Sequence, residues 1–529
     1  MGTGRRRKVM LMTPPYHCGM VESAGVWMPL GLTYLAGSLR AAGFDPAIYD
    51  AMSLFHDLDQ IEDTIADAAP DVIATTAYTA TVGAATEVLR VAKEVVPGVL
   101  TVMGGIHPTF MASEVLGSGA VDYVVRGEGE TSFPELLTCL NERRSPEKVR
   151  GISYRTSNGH VIHTASRALH HDLDSLPVAW DLIDWPAYFY RTNPGSRLAI
   201  VSWARGCTEA CSFCSQQKFW ERSWRPRAIE SIIAELRLLR DSFGVDTVEV
   251  ADEHPTRDAA RWERILDRII EEDLGIELLM ETRADDIVRD APLLHKYRRA
   301  GIRHVYVGVE SVRQDRLDAM RKNLRVEQSR EALRLLNEAE FITETSFLLG
   351  FPDETRASVK RTLELSYEYD PDLAFFLAIT PWPYTDYYRE VKDSVEVFDY
   401  SLYNLSNPIL RPGEMSREEL SALLSHCFQQ FYMNKMRNMG AMPAEKRQYL
   451  LGVAKLLREN SYLASEVKAS MDSLAMGSAM PPMHHGKQAP HPSMPASHLP
   501  VQAPHPSMPI GHPSMPGVRG EAGRPLGAT

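Results

Sequence analysis

Three cysteines lie within eight residues of one another and are the most chemically informative feature of the sequence. Cys207, Cys211 and Cys214 form a C-x3-C-x2-C pattern. Thiolates are the usual protein ligands of iron–sulfur clusters, and three of them on one loop can hold three irons of a four-iron cubane. The fourth iron then lacks a protein ligand and is free to bind a cofactor and pass it an electron. We therefore predict a [4Fe–4S] cluster with one open iron at these cysteines.

The residues alone leave two other interpretations of this cysteine triplet. A structural zinc site needs four ligands, and His254 is a residue that could supply the fourth. Inert thiols are the remaining alternative, although the chain has only six cysteines, so that chance clustering of three is disfavoured. So few cysteines, half of them crowded together, also argue against a disulfide scaffold.

Length and charge restrict the classes of function. A chain of 529 residues exceeds one ordinary core, so about two or three domains are expected. The formal net charge of −12 gives no support for a nucleic-acid or anionic-membrane partner. No apolar run reaches the roughly 18 residues that span a bilayer, and the short apolar stretch near the N-terminus lacks a signal-peptide cleavage pattern. We expect a cytoplasmic protein with no transmembrane segment and no nucleic-acid partner.

Strand and helix patterns alternate over residues 8–145. Predicted strands lie near 8–13, 46–50, 72–77, 99–103 and 122–126, each followed by a helical segment. Five such repeats predict an open, doubly wound, Rossmann-like parallel sheet of the α/β class. Ligands of these sheets lie outside the carboxyl ends of the strands. The polar and glycine-rich runs at those ends are therefore candidate binding loops.

A second series of strands and helices covers residues 197–400, after a connecting segment at 146–196 that includes a small hairpin around Ser157–Gly159. Its strands are predicted near 198–204, 246–251, 276–281, 304–309, 343–349 and 373–379. Six βα units predict a partial TIM-type (β/α)6 barrel, with its active site at the carboxyl ends of the strands. The cysteine triplet follows the first of these strands, which places the predicted cluster at the barrel mouth.

The C-terminal part divides into a helical region and a tail. Residues 401–470 are predicted to form a helical cap, with helices at 416–437 and 443–466. The tail at 478–529 is rich in Pro, His and Met and repeats the string HPSMP. Such a segment cannot bury enough apolar surface to fold, so we predict that it is disordered. Weak binding of soft metals by its histidines and methionines is an alternative to a dispensable tail.

The cysteine triplet, with Phe213 directly before its last cysteine, resembles the signature of the radical S-adenosylmethionine superfamily. In that superfamily the open iron binds S-adenosylmethionine, whose reductive cleavage yields a 5′-deoxyadenosyl radical. The family's Gly-Gly-Glu pattern is absent from this chain. The resemblance implies cofactor contacts at Phe213 against the adenine, at Asp252 and Glu253 after the second barrel strand, at Arg283 after the third, at Glu310 and Ser311 after the fourth, and at Gly350 after the fifth.

A doubly wound domain in front of such a barrel is similar to the cobalamin-binding group of this superfamily. The runs GGIHPT at 104–109 and RGEGE at 126–130 resemble two of its loops, and glycines there let the backbone approach a large ligand. The D-x-H-x-x-G pattern of enzymes that ligate cobalt through histidine is missing. A vestigial domain that binds nothing is the alternative. The cofactor-binding residues implied are Thr75, Thr76, Gly104, Gly105, His107, Gly127, Glu128 and Gly129.

Further strings narrow the resemblance to the anaerobic magnesium-protoporphyrin IX monomethyl ester oxidative cyclases, over roughly residues 8–466. These strings are Glu22–Trp27, Tyr49–Met52, Cys214–Trp220 and Ala251–Thr256, in this order along the chain. The resemblance implies formation of the isocyclic ring of (bacterio)chlorophyll with an oxygen from water. It also implies a tetrapyrrole substrate and an electron donor such as flavodoxin or ferredoxin. A cobalamin-dependent radical methyltransferase and a non-catalytic cluster- or corrin-binding regulator remain alternatives.

Overall fold

The computed structural model describes residues 6–17, 25–190, 192–193 and 195–459. Two parallel sheets organise this part of the chain, one before and one after residue 196. The predicted disordered tail and the end of the last predicted helix lie outside the described residues. Within these ranges, no helix combines the length and apolar character needed to cross a membrane.

The first sheet has its strands in the order β2-β1-β3-β4-β5-β6-β7, and β1 to β5 run parallel. This order for the first five strands is the flavodoxin-like form of the doubly wound fold, so the predicted Rossmann-like domain is confirmed. Its strands are β1 (Lys8–Thr13), β2 (Asp45–Asp50), β3 (Val72–Thr76), β4 (Leu100–Gly104), β5 (Tyr123–Val125), β6 (Ile152–Arg155) and β7 (Val161–His163). Its helices are α1 (Leu30–Ala41), α2 (Leu58–Ala68), α3 (Val82–Val95), α4 (Ile106–Phe110), α5 (Ala112–Gly117) and α6 (Gly129–Asn141).

The hairpin around Ser157–Gly159 belongs to this first sheet. Strand β6 pairs antiparallel with β5, and β7 pairs antiparallel with β6. Ile152 and Tyr154 are buried in the same core cluster as Val125 of β5. Residues 152–163 therefore form the edge of the sheet, whereas the sequence analysis assigned them to a connecting segment. The alternation of strand with helix could not reveal this pairing, because antiparallel neighbours need only a short turn between them.

The second sheet is an open, parallel, six-stranded partial barrel in the order β15-β14-β13-β12-β11-β8, as predicted. Its strands are β8 (Leu198–Val201), β11 (Thr247–Val250), β12 (Glu277–Arg283), β13 (Ile302–Glu310), β14 (Ile342–Leu349) and β15 (Leu373–Ala378), and a separate ribbon is formed by β9 (Ala204–Arg205) and β10 (Arg225–Pro226). The helices are α7 (Gln216–Phe219), α8 (Ile229–Phe243), α9 (Ala259–Glu272), α10 (Ala284–Arg289), α11 (Leu294–Arg299), α12 (Gln314–Ala319), α13 (Val326–Glu338), α14 (Arg356–Tyr369) and α15 (Asp386–Val391).

The first barrel strand is shorter than predicted. It ends at Val201, since the Trp203 backbone N–H donates to Asp252 Oδ1 at 2.7 Å rather than to a neighbouring strand. The chain then enters the ribbon of β9 and β10. This departure from the sheet leads directly into the segment that carries the three cysteines.

Two helices follow the barrel, α16 (Arg417–Asn438) and α17 (Ala444–Glu459), and they agree with the predicted helical C-terminal region as far as it is described. Leu420, Leu424 and Phe431 of α16 are buried in the barrel core. The Phe431 ring meets Phe376 of β15 edge to face, with ring centroids 6.1 Å apart. Helix α16 therefore covers the end of the open sheet at β15.

Helix α1 offers a test of this packing, since its two inner glycines have opposite surroundings. A Cβ on Gly37 would overlap the Pro177 carbonyl oxygen, whereas a Cβ on Gly31 would meet nothing within 4 Å. We expect Gly37→Ala to lower the free energy of unfolding by about 1–3 kcal/mol, the usual cost of overpacking. Gly31→Ala should leave it unchanged or raise it by up to about 1 kcal/mol. Thermal or urea unfolding of both variants beside the parent measures this, and equal stability of the two would contradict the packing described.

Candidate functional site

The three cysteines lie on a closed loop at the mouth of the barrel, residues 206–224, which we name the cluster loop. Strands β9 and β10 pair antiparallel and bring Arg205 and Arg225 side by side at its two ends. The Ser212 N–H donates to the Met320 carbonyl oxygen at 2.9 Å, and the Ser212 carbonyl oxygen accepts from the Tyr387 N–H at 3.0 Å. The loop is thus anchored to the turns that follow other barrel strands.

The thiols of the cluster loop fit an iron–sulfur cluster in their chemistry. Burial raises the pKa of Cys207 and Cys211 and raises that of Cys214 to about 12. Thiolates are therefore unfavourable here without a cation, and metal coordination deprotonates a thiol. In the described ranges, no three His, Cys, Asp or Glu side chains converge as ligands of one metal ion. A cluster in which each thiol binds a different iron agrees with the raised pKa values and with this arrangement of side chains.

The zinc alternative required His254 as an additional ligand. In the structure, His254 Nε2 lies 2.7 Å from Asp286 Oδ2, and both side chains are buried. Thr256 also donates to this carboxylate. The Nε2 atom is thus engaged with α10, while Nδ1 is buried and has no hydrogen-bond partner among the described residues. A histidine that ligates a metal commonly binds a carboxylate through its other nitrogen, so the contact with Asp286 does not exclude His254 as a ligand.

Glu253, at the end of β11, holds the cluster loop at two places. Its Oε2 accepts from the Gly206 N–H at 3.0 Å, and its Oε1 accepts from Trp220 Nε1 at 2.5 Å. Gly206 has φ +95°, and a Cβ there would overlap the Ser223 carbonyl oxygen, so only glycine fits where the loop closes. Burial raises the pKa of Glu253. The predicted cofactor contact is therefore also a structural anchor of the loop.

Asp252 lies beside Glu253 and retains an unused acceptor. Its Oδ1 accepts from the Trp203 N–H, while its Oδ2 is buried and has no hydrogen-bond partner among the described residues. The side chain is 1% exposed, and burial raises its pKa to about 8. A cationic ligand at the barrel mouth would supply the missing partner.

Arg283 and Glu310 meet a lysine that the sequence analysis missed. Arg283 donates to the carbonyl oxygens of Lys322 and Asn323, and its Nη1 lies 3.7 Å from Glu209 Oε2 of the cluster loop. Lys322 Nζ lies 2.7 Å from Glu310 Oε1, with both groups buried. Burial would lower the pKa of Lys322, but the charges of Glu310 and Cys211 raise it. From the sequence alone, a buried lysine in a turn after a helix cannot be distinguished from a solvent-exposed lysine.

The backbone at Glu310 is strained. It has φ +63° at an irregularity in the register between β13 and β14. Left-handed backbone at a residue other than glycine costs roughly 1–3 kcal/mol and clusters at functional sites. Ser311, the next residue, is buried and accepts from the Arg313 N–H. This strain supports a functional role for the GVES turn.

Phe213 and Gly350 are at the same end of the barrel. Phe213 is half-buried and packs against the barrel core. Gly350 has φ +84°, and a Cβ there would lie 2.8 Å from Leu420 of α16. The packing of α16 is thus sufficient reason for glycine at this position.

Carboxylates inside the barrel were also missed. Glu281 of β12 and Glu344 of β14 both stand next to Tyr306 of β13 in the strand register. Because Leu278 and Met280 pack with the outer helices, the alternate residue Glu281 faces the barrel interior. Burial, and then the charge of Glu253, raise its pKa to about 7. The signal was a glutamate inside each strand, between residues predicted to be buried. The same applies to Glu249 of β11, whose pKa is raised by burial.

The first-domain loops predicted to bind cofactor meet at the carboxyl edge of the sheet. Thr75 and Thr76 end β3, and Gly104 ends β4. Gly105 has φ +104°, and a Cβ there would lie 2.6 Å from the Ala77 carbonyl oxygen, so the two loops approach closely. The geometry requires glycine at position 105.

His107 is fully buried between this edge and the barrel. Its Nδ1 lies 3.1 Å from Thr79 Oγ1, and its ring meets Tyr384 and Tyr400 edge to face. Burial lowers its pKa to about 4, so the ring is neutral at physiological pH. His107 therefore packs between the first domain and the segments after β15.

The RGEGE loop combines open space with fixed contacts. Gly127 has φ +71°, a Cβ there would meet nothing within 4 Å, and its N–H donates to Thr109 Oγ1 at 2.9 Å. Gly129 starts α6, where a Cβ would lie 2.9 Å from Leu35. The Glu128 carboxylate, predicted to bind cofactor, is instead engaged by Arg205 and Arg225 of the barrel. Open space therefore lies beside the Gly127 backbone, whereas the Glu128 carboxylate is held by two arginines.

Comparison with protein families identifies both domains. Residues 16–137 match the B12 binding domain, and residues 201–366 match the Radical SAM superfamily. The anaerobic magnesium-protoporphyrin IX monomethyl ester cyclase of Rubrivivax gelatinosus is 36% identical, over 86% of this chain and 83% of the relative. The hopanoid C-3 methylase of Methylococcus capsulatus is 28% identical, over 83% of this chain and 82% of the relative.

A solved structure with the same fold is the cobalamin-dependent S-adenosylmethionine radical enzyme OxsB with aqua-cobalamin and S-adenosylmethionine bound. It has a TM-score of 0.63 at 18% sequence identity and covers 89% of this chain and 72% of that chain. The thiol set, the open carboxyl edge and these similarities agree. The chain belongs to the cobalamin-binding radical S-adenosylmethionine family, and anaerobic magnesium-protoporphyrin IX monomethyl ester cyclases are among its relatives.

Proposed function

We propose that this protein is an anaerobic oxidative cyclase that forms the isocyclic ring of (bacterio)chlorophyll from magnesium-protoporphyrin IX 13-monomethyl ester. The observation that carries the proposal is the 36% identity to a cyclase over 83% of that relative's length, across both cofactor domains. The reaction inserts an oxygen from water and removes hydrogen from the substrate. A small electron-transfer protein such as flavodoxin or ferredoxin would supply the reducing electron.

The cofactors supply the radical chemistry when bound, because a carbon radical and a one-electron acceptor are needed to functionalise an unactivated C–H bond without dioxygen. The chain's own residues position the cofactors and neutralise their charges. We assign Cys207, Cys211 and Cys214 to the cluster and Asp252 Oδ2 to the cationic amino group of S-adenosylmethionine. Lys322, beside Cys211, contributes positive charge near the thiolates.

Several predicted cofactor contacts stay part of the proposal. We assign the residues at the barrel mouth to the binding of S-adenosylmethionine. We assign those at the edge of the first sheet to the binding of the corrin. For S-adenosylmethionine these are Phe213, Glu253, Arg283, Glu310, Ser311 and Gly350. For the corrin they are Thr75, Thr76, Gly104, Gly105, His107, Gly127 and Gly129, and His107 Nε2 is buried with no hydrogen-bond partner among the described residues.

The barrel interior suits a reaction that releases protons. Glu281 has a pKa of about 7, near the value at which a general base works best at neutral pH. Glu344 is linked to His304 Nε2 at 2.9 Å, and His304 Nδ1 to the Tyr190 hydroxyl at 2.9 Å. We propose that Glu281 accepts a proton during the oxidation.

A second candidate function is cobalamin-dependent methyl transfer, which the similarity to the hopanoid C-3 methylase supports. It would use the same cofactor domains and differ in its substrate and product. The cyclase relative is more similar to this chain, 36% against 28% over comparable lengths, so cyclisation is the proposal.

The cluster assignment predicts the effect of removing one thiol. Cys211→Ala should abolish the visible absorbance of the reconstituted cluster and lower the bound iron to background, because three thiolates are needed to retain the cubane. Cys427→Ala is the matched control, since Cys427 is a buried free cysteine of α16. Iron and sulfide analysis measures both variants. Normal cluster content in Cys211→Ala would refute the assignment.

Asp252 gives a test of S-adenosylmethionine binding that does not depend on turnover. Burial raises the pKa of Asp252 to about 8, and a bound ammonium group would lower it and favour the carboxylate. Asp252→Asn cannot form that carboxylate, so we expect the affinity for S-adenosylmethionine to fall about tenfold or more, since a charged hydrogen bond contributes roughly 1.5–3 kcal/mol. Equilibrium dialysis with the reconstituted protein measures it. Asp273→Asn is the control, because Asp273 is exposed and has a left-handed backbone that asparagine tolerates. Equal affinities in both variants would contradict the role of Asp252.

The reaction itself is tested with the tetrapyrrole substrate. Anaerobic incubation of the fully loaded protein with magnesium-protoporphyrin IX 13-monomethyl ester should give a product that has lost hydrogen and gained an oxygen from heavy-oxygen water. Mass spectrometry and the absorbance spectrum of the product measure this. A product heavier by one methyl group would establish methyl transfer instead. Absence of the cyclised product, in protein that cleaves S-adenosylmethionine, would refute the proposed function.

A further inference from the structure

One carboxylate of the first domain holds both ends of the cluster loop. Glu128 Oε1 accepts from Arg205 Nη1 at 2.8 Å, and both of its oxygens accept from Arg225 Nη1, at 3.1 and 3.0 Å. Arg205 directly precedes the cluster loop, and Arg225 directly follows it. Glu128 Oε2 also accepts from the His170 N–H at 2.7 Å. The position of the loop's two ends is therefore set by a residue of the other domain.

The charges at this junction are buried and balanced. Glu130 Oε1 pairs with Arg205 Nη2 at 2.8 Å, so two carboxylates face two guanidinium groups. Arg205 stacks on the Tyr34 ring at 4.8 Å, and Arg225 lies 5.4 Å from the Trp220 ring of the cluster loop. Removal of one partner from such a buried set leaves an uncompensated charge and is costly. The placement of the two arginines therefore depends on both carboxylates.

Burial alone would raise the pKa of Glu128, but the hydrogen bonds and charges of Arg225 and Arg205 outweigh it and keep the pKa below its usual value. Glu128 is thus ionised at neutral pH. An amide in its place would retain the shape but leave the two arginines with a single carboxylate, Glu130. This difference makes Glu128→Gln an informative variant.

The same residue adjoins the edge of the first sheet where the corrin-binding loops meet. Glu128 directly follows Gly127, whose free side faces open space and whose N–H donates to Thr109 Oγ1. A large ligand at this edge would contact the backbone at Gly127 and the GGIHPT loop. Because Glu128 is the next residue after Gly127, a shift of the Gly127 backbone on ligand binding would also move Glu128. Through its two arginine partners, Glu128 would then affect both ends of the cluster loop.

We propose that Glu128 is a positioning residue that couples occupation of the corrin-binding edge to the placement of the cluster loop. Cobalamin bound to the first domain then orders the cluster loop, and by linkage a loaded cluster strengthens cobalamin binding by the same factor. The inference depends on the two cofactor domains and not on the reaction that the protein catalyses. Failure of the cyclase assay would leave it untouched.

Hydrogen–deuterium exchange of the full chain tests this coupling without turnover. The protein with reconstituted cluster is compared with and without saturating hydroxocobalamin, and no tetrapyrrole substrate is present. In the parent, we expect cobalamin to slow exchange in peptides from residues 206–224 by at least about fivefold, the lower range of coupling between sites. In Glu128→Ala this slowing should disappear, while peptides from residues 104–109 remain protected by cobalamin.

If the alanine variant does not fold, Glu128→Gln is used in the same experiment. The iron and corrin contents of each variant confirm that both cofactors are bound. Glu135→Gln is the matched control on α6, the helix that Glu128 directly precedes; the Glu135 side chain pairs with Arg167 and is 43% exposed. It should behave as the parent does. Cobalamin-dependent protection of residues 206–224 that persists in the Glu128 variants would overturn the proposal. So would a parent protein in which cobalamin leaves these peptides unchanged.

Discussion

The cluster loop must present three thiols in fixed positions although almost none of it is regular secondary structure, and the site depends on how this is achieved. A loop without ladder hydrogen bonds has to satisfy its backbone groups elsewhere. Here the Gly206 N–H donates to the Glu253 carboxylate, and carboxylates from two domains hold the side chains within and beside the loop. Glu253 binds the Gly206 N–H and the Trp220 ring at the barrel mouth, and Glu128 binds the arginines on either side. The cysteines are thus placed by ion pairs and hydrogen bonds with distant parts of the chain.

The barrel interior adds an electrostatic constraint. Asp252, Glu253 and Glu281 are carboxylates with raised pKa values, and in each case burial is the largest cause. Lys322 and Arg283 are cations at the same end of the barrel, and both are engaged by carboxylates, Glu310 and Asp285. Burial disfavours the charged form of these carboxylates, and a positively charged ligand beside them would favour it. A sulfonium compound with an amino group has the complementary charge.

Much of this architecture could be predicted from the sequence because buried parallel strands are continuous apolar runs. All eleven parallel strands that the sequence indicated are present, with ends that differ by a few residues at most. What the sequence analysis missed has a common cause in long-range contacts. The hairpin of β6 and β7 was placed in a connecting segment, since only its pairing with β5 shows where it belongs. The ion pairs of Glu128, which stays a predicted cofactor contact, were not foreseen, since Arg205 and Arg225 are 77 and 97 residues away in the sequence.

Relatives that share both cofactor domains differ in reaction, so the cofactor residues cannot decide between cyclisation and methyl transfer. The discriminating groups must be those that handle water and protons around the substrate. Cyclisation requires a base inside a water-accessible pocket, because oxidation at carbon releases protons and water supplies the oxygen. Glu281, with its pKa of about 7 and its position inside the barrel, is the base that we propose for this step.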